Sequence, residues 1–196
     1  MNLDIADVRV DKPINIETFN YLLQFSPPEK QQRILRQRVK RNADTMVIGG
    51  ALVRYILWKR FHIPLNALIA YGEFGKPFLV EYPDIYFNIS HSGKYVACAV
   101  CDFPVGIDVQ EITSFRPEVA ARICSPVALT LIKESLDPDA EFTKIWTQTE
   151  ALAKEMGFGI GEIFRCSTLH KKGVFSKRID NTFVSLSCTM SILSDS

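Results

Sequence analysis

The chain of 196 residues contains 47% hydrophobic and 23% charged residues, values that are ordinary for a globular protein and argue against extended disorder. Its formal net charge is +1, so the overall charge does not indicate nucleic acid or an anionic membrane as a partner, and any anion site has to be local. No apolar run reaches the roughly 18–20 residues of a membrane span, and the acidic N-terminal sequence has no signal-peptide core, so we expect a cytoplasmic protein without membrane contact.

The first sixty residues are predicted to form a strand and three helices, because polarity first alternates and apolar residues then recur at helical spacing. Ser26 is expected to cap the second helix, with Pro27 in the first turn, where a missing N–H is harmless. Asn42 or Asp44 is expected to cap the third helix, which runs to about Phe61.

The most basic segment of the chain starts in the second helix. Six cations fall within twelve residues there: Lys30, Arg33, Arg36, Arg38, Lys40 and Arg41. Lys30, Arg33 and Lys40 have spacings that allow them to share one helix face. For this segment alone, a solvated helix face and an anion-binding patch are equally good interpretations.

Residues 87–110 form the stretch around which the chain is organised, and they are typical of strand, turn, strand, turn and strand. Tyr95–Cys101 is apolar enough for a strand buried on both faces. The next strand contains Asp108, a carboxylate that is costly to bury unless an arginine, backbone amides or a metal meets it. Ser90 and His91 end the first strand, and as neighbours they point to opposite faces, which argues against a nucleophile and its base.

The chain has five cysteines: Cys98, Cys101, Cys124, Cys166 and Cys188. Cys98 and Cys101 form a CxxC pair, but they lie inside the predicted strand, and the chain has no second CxxC to complete a zinc site. We therefore expect buried, reduced thiols, as is usual in cytoplasmic proteins.

The second half is predicted to contain two short helices and then a long helix at residues 138–156, which ends at Gly157. Trp146, Glu150 and Lys154 recur every four residues and form a stripe along the long helix. In isolation, Glu150 and Lys154 are also compatible with an ion pair on the surface that contributes little to stability.

Three strands are expected after this helix, at residues 164–168, 173–176 and 182–190. The sequence FVSLSC at 183–188 echoes YVACAV at 95–100, and each segment comes late in its half of the chain. This similarity, although weak, indicates an internal duplication.

Asp108 on a strand and Glu150 on a helix can together hold Mg²⁺, which takes one or two carboxylates and completes its shell with waters and phosphate oxygens. The cations available for further phosphate charge are Lys30, Arg33, Lys76, His91 and Lys154. This set suits a diphosphate cofactor and a phosphoryl-type transfer.

Several motifs between residues 20 and 165 match one family when they are taken together. They are SPPEK at 26–30, VIGGALVR at 47–54, GKP at 75–77, FNISHSG at 87–93, GIDV at 106–109, and Trp146, Glu150, Ala151, Lys154, Gly157 and Gly159. On these residues the chain resembles the Sfp-type 4′-phosphopantetheinyl transferases. The resemblance implies an α+β fold, a pseudo-dimer of two similar α/β halves at residues 1–104 and 105–196, with the active site in the cleft between them.

The resemblance also implies an activity. Members of the family use Mg²⁺ and CoA, and they transfer the 4′-phosphopantetheine arm to a serine of an apo acyl or peptidyl carrier protein, releasing adenosine 3′,5′-bisphosphate. A monomer is expected, because the cleft forms within one chain. Carrier proteins are typically acidic near that serine, and the candidate docking residues are Arg116, Arg122, Lys133 and the apolar residues 127–132.

Residue by residue, the resemblance assigns three kinds of site residue. Those expected to bind CoA are Lys30, Arg33, Lys76, Pro77, Ser90, His91 and Lys154. Those expected to bind the metal are Asp108, Gln110 and Glu150. The expected catalytic residues are Asp108, Glu150, which would take the serine proton directly or through a water, and Lys154, which would meet the leaving phosphate.

Some positions depart from the family pattern. Gln110 stands where many relatives have a third acidic ligand, Thr149 and Phe158 each replace a lysine, and Thr45 and Met46 replace an Arg-Thr pair. A catalytically weak paralogue that binds CoA or a carrier protein is therefore a second hypothesis. A CoA-dependent acyltransferase, a third interpretation, gives the two carboxylates no role.

Overall fold

The structure is a computed structural model that describes residues 2–159 and 173–188. Its helices are α1 (Ile16–Leu23), α2 (Pro28–Leu35), α3 (Lys40–Phe61), α4 (Pro117–Ile123), α5 (Pro126–Glu134) and α6 (Pro138–Met156). Its strands are β1 (Leu3–Arg9), β2 (Ile69–Tyr71), β3 (Pro77–Leu79), β4 (Tyr86–Ser92), β5 (Tyr95–Cys101), β6 (Val105–Glu111), β7 (Val174–Ile179) and β8 (Thr182–Cys188). Within the described ranges, no helix combines the length and the apolar character needed to cross a bilayer. The mixture of helices and antiparallel strands confirms the predicted α+β class.

Each half of the chain contains a three-stranded antiparallel sheet with the same strand order. β5 lies between β1 and β4 in the first half, and β8 lies between β6 and β7 in the second. The segments 95–100 and 183–188, whose sequences echo each other, therefore lie in the two equivalent central strands. The predicted pseudo-dimer of two similar halves is confirmed, whereas the division between residues 104 and 105 stays a prediction.

Strand β5 is buried along its whole length, which confirms the prediction of a strand with two covered faces. Cys98 and Val100 pack against α3 in one hydrophobic cluster. Ala97 and Ala99 lie on the opposite face and pack with residues of β6 and β8 in a second cluster. The strand therefore contributes to the cores of both halves and brings β4 close to β6.

Strands β4 and β6 meet side by side through a row of side chains rather than through a backbone ladder. Three polar side chains of β4 each accept a hydrogen bond of 3.1 Å from a backbone N–H of β6: Asn88 from Ile107, Ser90 from Val109 and Ser92 from Glu111. The acceptor side chains alternate along β4, as expected for one face of a strand, and the backbone donors alternate along the edge of β6 that does not pair with β8. We call this row the seam, and it satisfies backbone groups that would be costly to bury unpaired.

Gly106 allows α6 to lie directly on β6, because a Cβ at this position would come within 2.0 Å of the Ala151 carbonyl oxygen and 2.4 Å of the Glu155 nitrogen. We expect Gly106→Ala to destabilise the protein by about 3 kcal/mol or more, at the upper end of overpacking costs. That corresponds to a loss of roughly 6–12 °C in Tm for a chain of this size, measurable by thermal unfolding. Gly72→Ala is the control, since its Cβ would meet nothing closer than 3.7 Å; an equal loss in both variants would contradict the argument.

Two predicted helix starts are wrong. Helix α2 begins at Pro28 with Pro27 as its N-cap, and the hydroxyl of Ser26 is buried without a hydrogen-bond partner in the described part of the chain. The second proline explains the shift, because a residue that precedes proline disfavours helical backbone angles. Helix α3 begins at Lys40, so Asp44 lies inside it, where its buried carboxylate pairs with Lys40 and accepts from the Ile14 N–H.

The thiols of Cys98, Cys101 and Cys188 are free and buried, and that of Cys124 is free and half-buried. Burial raises the pKa of Cys98 to about 12 and that of Cys101 to about 11, so both stay protonated near neutral pH. The prediction of buried, reduced thiols is therefore confirmed for Cys98, Cys101 and Cys188. Cys166, the strand expected at 164–168 and the last two residues of 182–190 lie outside the described ranges.

Candidate active site

A cleft of about 500 Å³ lies where α2, the β2–β3 hairpin, β4 and the end of α6 come together. It is lined by most of the side chains predicted to bind a phosphorylated ligand: Lys30, Arg33, Lys76, Pro77, His91 and Lys154. These residues come from separate parts of the sequence, and the fold brings them to one place. Ser90 is not among the lining residues, and its hydroxyl instead contacts Asp108 and the Val109 N–H of β6.

Positive charge converges on this cleft. Burial, and then the neighbouring charge of Arg33, lower the pKa of Lys30. Burial also lowers the pKa of His91, followed by repulsion from Lys30, Lys154 and Arg33, which outweighs the opposing effect of Asp108. Groups that destabilise each other's charge in this way would be stabilised by a bound anion. The anion-patch interpretation therefore fits Lys30 and Arg33 better than a solvated helix face.

Lys40 does not belong to this patch. The predicted common face with Lys30 and Arg33 is wrong, because α2 ends at Leu35 and Lys40 opens the next helix. Its ammonium group pairs with Asp44 and lies 4.6 Å from the centre of the Phe19 ring. Lys40 therefore stabilises the packing of α3 against α1.

Asp108 is 2% exposed and lies at the seam between the halves. Its Oδ1 accepts from Lys154 Nζ at 2.6 Å and from Ser90 Oγ at 2.9 Å. Its Oδ2 is buried and has no hydrogen-bond partner among the described residues. Lys154 thus forms its ion pair with Asp108 on the adjacent strand β6, which differs from a simple surface pair with Glu150 on its own helix.

Glu150 lies one helical turn before Lys154 and close to the same carboxylate. Burial, and then the charge of Asp108, raise the pKa of Glu150 to about 7, with Lys154 acting in the opposite direction. The repulsion between two neighbouring carboxylates can be relieved by a shared proton or by a cation. Together with the unpartnered Oδ2 of Asp108, this fits a divalent cation with oxygen ligands.

Gln110 follows Asp108 by two residues on β6, so it belongs to the same face of the strand. Its side chain is half-buried, and Nε2 donates to the Glu111 carbonyl at 3.2 Å. Among the described residues, no group of three or more His, Cys, Asp or Glu side chains could hold a metal. The donor set is therefore two carboxylates with a neutral amide nearby, which suffices for a cation that keeps waters and substrate oxygens in its shell.

Lys76 has a structural connection that the sequence did not indicate. Its ammonium donates to the Glu155 carbonyl in the last turn of α6 and, at 3.4 Å, to the Val105 carbonyl. Burial lowers the pKa of Lys76, and the charge of Glu155 opposes this effect. The lysine therefore ties the β2–β3 hairpin to the second half, at the wall of the cleft.

The positions that depart from the family pattern are distributed around the cleft. Met46 and Phe158 line it, whereas Thr149 is buried and its hydroxyl donates to the Ile145 carbonyl. Thr45 is 1% exposed, and its Oγ1 lies 3.4 Å from Nδ1 of His91. Sequence reasoning treated Thr45 only as a substitution, since nothing local in the sequence relates it to a histidine 46 residues away.

Comparisons with known proteins cover nearly the whole chain. A model of the N-terminal part of 4′-phosphopantetheinyl transferases matches residues 12–102, and a model of the 4′-phosphopantetheinyl transferase superfamily matches residues 104–189.

Curated relatives agree with these family models. The 4′-phosphopantetheinyl transferase Sfp of Bacillus subtilis is 29% identical over 161 residues, which is 81% of this chain and 72% of the relative. The 4′-phosphopantetheinyl transferase gsp of Aneurinibacillus migulanus is 32% identical over 81% of this chain and 67% of the relative. A human L-aminoadipate-semialdehyde dehydrogenase-phosphopantetheinyl transferase is 30% identical over 68% of this chain and 49% of the relative.

Proposed function

This chain belongs to the 4′-phosphopantetheinyl transferase superfamily, and from that premise we propose that it transfers the 4′-phosphopantetheine arm of CoA to a serine of an apo acyl or peptidyl carrier protein. Adenosine 3′,5′-bisphosphate is the second product. The observation that carries the proposal is the position of the Asp108–Lys154 pair and Glu150 beside a cleft in which positive charge converges.

CoA is proposed to lie in the cleft with its phosphates among Lys30, Arg33 and His91, and with the nucleotide near Lys76 and Pro77. The lowered pKa values of Lys30 and His91 support this placement, because a phosphate would supply the negative counter-charge that is missing near these two groups. Part of the binding energy then comes from relieving repulsion that exists in the ligand-free protein.

The residues proposed to hold Mg²⁺ are Asp108 and Glu150, with the amide oxygen of Gln110 as a third ligand. A cation held by these residues would offset negative charge on the diphosphate oxygens of CoA. The unpartnered Oδ2 of Asp108 and the raised pKa of Glu150 support this assignment.

Glu150 is proposed to take the proton of the carrier serine, directly or through a water, as the serine oxygen bonds to the phosphorus next to pantetheine. A group with a pKa near 7 is well matched to proton transfer near neutral pH. Lys154, held by Asp108, is proposed to stabilise the phosphate that leaves when the diphosphate bond breaks. The positive charge is then in place before the reaction, which reduces reorganisation.

The carrier is proposed to dock on α4 and α5. Val127 and Leu131 are 71% and 57% exposed on α5, and Lys133 follows them. Arg116 and Arg122 lie at the two ends of α4. Ile132, which falls within the predicted apolar segment, is instead fully buried against α6, so we exclude its side chain from the docking surface.

Lys30→Met is expected to weaken the binding of adenosine 3′,5′-bisphosphate by roughly 10–100-fold, the usual range for a lost charged hydrogen bond. The Tm of the ligand-free protein should not fall, because a half-buried ammonium beside Arg33 is removed. Calorimetric titration in EDTA and thermal unfolding measure the two effects. Arg38→Met, at an exposed cation outside the cleft, is the control; equal weakening in both variants would indicate only a loss of overall charge.

The transfer itself is tested by intact-mass spectrometry of an apo carrier protein incubated with this protein, CoA and Mg²⁺. The expected result is a mass gain of one phosphopantetheine arm that requires Mg²⁺ and is lost in Asp108→Ala. The Bacillus subtilis relative, assayed in parallel, shows that each carrier is competent. No gain on several carriers that this relative modifies would contradict the proposal.

The neutral Gln110 favours a second candidate, a weak paralogue that binds CoA or a carrier without efficient transfer. The two functions differ in the effect of Mg²⁺ on CoA affinity. An active transferase should bind CoA more tightly with Mg²⁺, because a cation held by the two carboxylates would offset the negative charge of the diphosphate. A paralogue that binds CoA equally well in EDTA fits the second candidate, and Gln110→Glu is then the first change to test.

A further inference from the structure

Ser90 is 7% exposed, and its hydroxyl is surrounded by protein groups. It donates to Asp108 Oδ1 at 2.9 Å, and it accepts from the Val109 N–H at 3.1 Å and from Lys154 Nζ at 3.0 Å. A serine hydroxyl has one donor and two acceptor sites. All three are therefore used within the protein, and none is left for a phosphate of CoA.

The same contacts fix the carboxylate of Asp108. Ser90 and Lys154 both bind Oδ1, so the buried Oδ2 is the oxygen without a donor. Without the hydroxyl, Oδ1 of Asp108 would be held by Lys154 alone, whose side chain is 31% exposed. Ser90 therefore determines which oxygen of Asp108 is held by protein and which one remains for a ligand.

We propose that Ser90 is a positioning residue, which acts through Asp108 and Lys154 to orient Oδ2 of Asp108 for a divalent cation, and not by contact with CoA. This rests on the proposed function, since the cation is the one proposed for the transfer reaction. It assigns Ser90 a role that differs from the CoA contact implied by the family resemblance. Groups that orient a metal ligand in this way typically affect metal affinity by 10–100-fold.

The seam offers a matched control. Ser92 lies two residues further along β4, and its hydroxyl accepts from the Glu111 N–H at 3.1 Å, as Ser90 accepts from Val109. Ser92→Ala therefore removes the same kind of bond between the strands, and Ser92 makes no hydrogen bond to Asp108 in the described part of the chain. A loss of Mg²⁺ affinity in both variants would be an effect of the seam. A loss of Mg²⁺ affinity in Ser90→Ala alone would be an effect of the contact with Asp108.

The experiment is calorimetric titration of Mg²⁺ into the ligand-free proteins, with adenosine 3′,5′-bisphosphate titrated separately in EDTA. We expect Ser90→Ala to weaken Mg²⁺ binding by roughly 10-fold or more relative to wild type and to Ser92→Ala. Its affinity for the bisphosphate in EDTA should stay within about twofold of wild type, because no direct contact is lost. Ser90→Ala should lose more Tm than Ser92→Ala, because it also removes the hydrogen bonds with Asp108 and Lys154.

Unchanged Mg²⁺ affinity in Ser90→Ala, or a wild-type protein that binds no Mg²⁺, would overturn the proposal. So would a clear loss of bisphosphate affinity in EDTA, which would make Ser90 a direct CoA ligand. These readouts do not depend on turnover. A failure of the proposed function appears instead as absence of transfer by the wild-type protein in the mass-spectrometric assay.

Discussion

Glu150→Gln is expected to slow transfer by about 100-fold or more and at the same time to stabilise the ligand-free protein. The folded protein holds the pKa of Glu150 at about 7, above its ordinary value of 4.5. Between these pH values the folded state binds more protons at Glu150 than the unfolded state does, so stability falls as the pH rises through that window. Above pH 7 the carboxylate is ionised beside Asp108, and the amide removes that repulsion.

The expected gain is on the order of 1–3 kcal/mol at pH 8, discounted because Glu150 is only half-buried. It should be largely lost near pH 4.5, where the wild-type residue is protonated in the folded state and half protonated in the unfolded state. Thermal unfolding in EDTA at the two pH values measures the gain, and Glu134→Gln, at an exposed position, is the control. A Tm difference that does not change with pH would contradict a raised pKa for Glu150.

The loss of activity in the same variant should be about 100-fold or more in kcat, the usual contribution of a general base. CoA affinity measured in EDTA should change much less, because the phosphates are proposed to bind Lys30, Arg33 and His91. Single-turnover rates and equilibrium CoA binding separate the two effects. Equal losses in both would remove Glu150 as the base. A variant that is more stable but much less active is the pattern expected where a strained site serves function.

Helix α6 shows what could be predicted from sequence. The Asp137 side chain caps the Ala140 N–H, Pro138 opens the helix, and Gly157 ends it in the left-handed region, as expected from local rules. The two faces of β5 were predictable for the same reason, because its composition allows burial on both sides. Ile145, Thr149, Leu152 and Met156 recur at helical spacing, which predicts that they face the core. The prediction is wrong for Met156, which is 39% exposed because the helix ends there.

The failures concern polar residues whose partners are distant in sequence. Asp44 resembles a helix cap, but its carboxylate is used by the Ile14 N–H, 30 residues earlier. The alternation of Asn88, Ser90 and Ser92 was visible as a polar face of a strand, yet nothing in the sequence shows that this face meets the backbone of β6. Pairings of this kind follow from how the halves pack, which spacing rules do not describe.

The candidate site contains features that the sequence predicts and contacts between distant residues that it does not predict. Residue chemistry alone suggested that Asp108 and Glu150 share a cation and that several cations meet phosphate. Motif resemblance supplied the assignment to individual roles. Neither indicated that Lys154 is fixed by Asp108, or that Lys76 binds carbonyls at the end of α6. These contacts decide which charges are compensated in the ligand-free protein, and the predicted effects on stability depend on them.

Asp108→Asn is expected to slow transfer as Glu150→Gln does, but to destabilise the protein. Asp108 is 2% exposed and accepts from Lys154 Nζ at 2.6 Å, so a neutral amide leaves that ammonium without its counter-charge. Breaking a fully buried pair costs about 3–5 kcal/mol, and partial exposure of Lys154 reduces the expected loss to about 1–3 kcal/mol. Mg²⁺ affinity should fall as well, because the amide supplies no negative charge to the cation.

A double-mutant cycle with Lys154→Met tests the cause of this loss. If the uncompensated ammonium is responsible, Asp108→Asn should cost less Tm in the Lys154→Met background than in wild type, measured in EDTA at pH 8. An equal cost in both backgrounds would mean that the ion pair contributes nothing, and a gain in Tm would mean that Asp108 repels its surroundings as Glu150 does. A lower Tm in Asp108→Asn together with a higher Tm in Glu150→Gln would show that protein groups compensate the charge of Asp108 but not that of Glu150. That asymmetry leaves an uncompensated negative charge at which Mg²⁺ is proposed to bind.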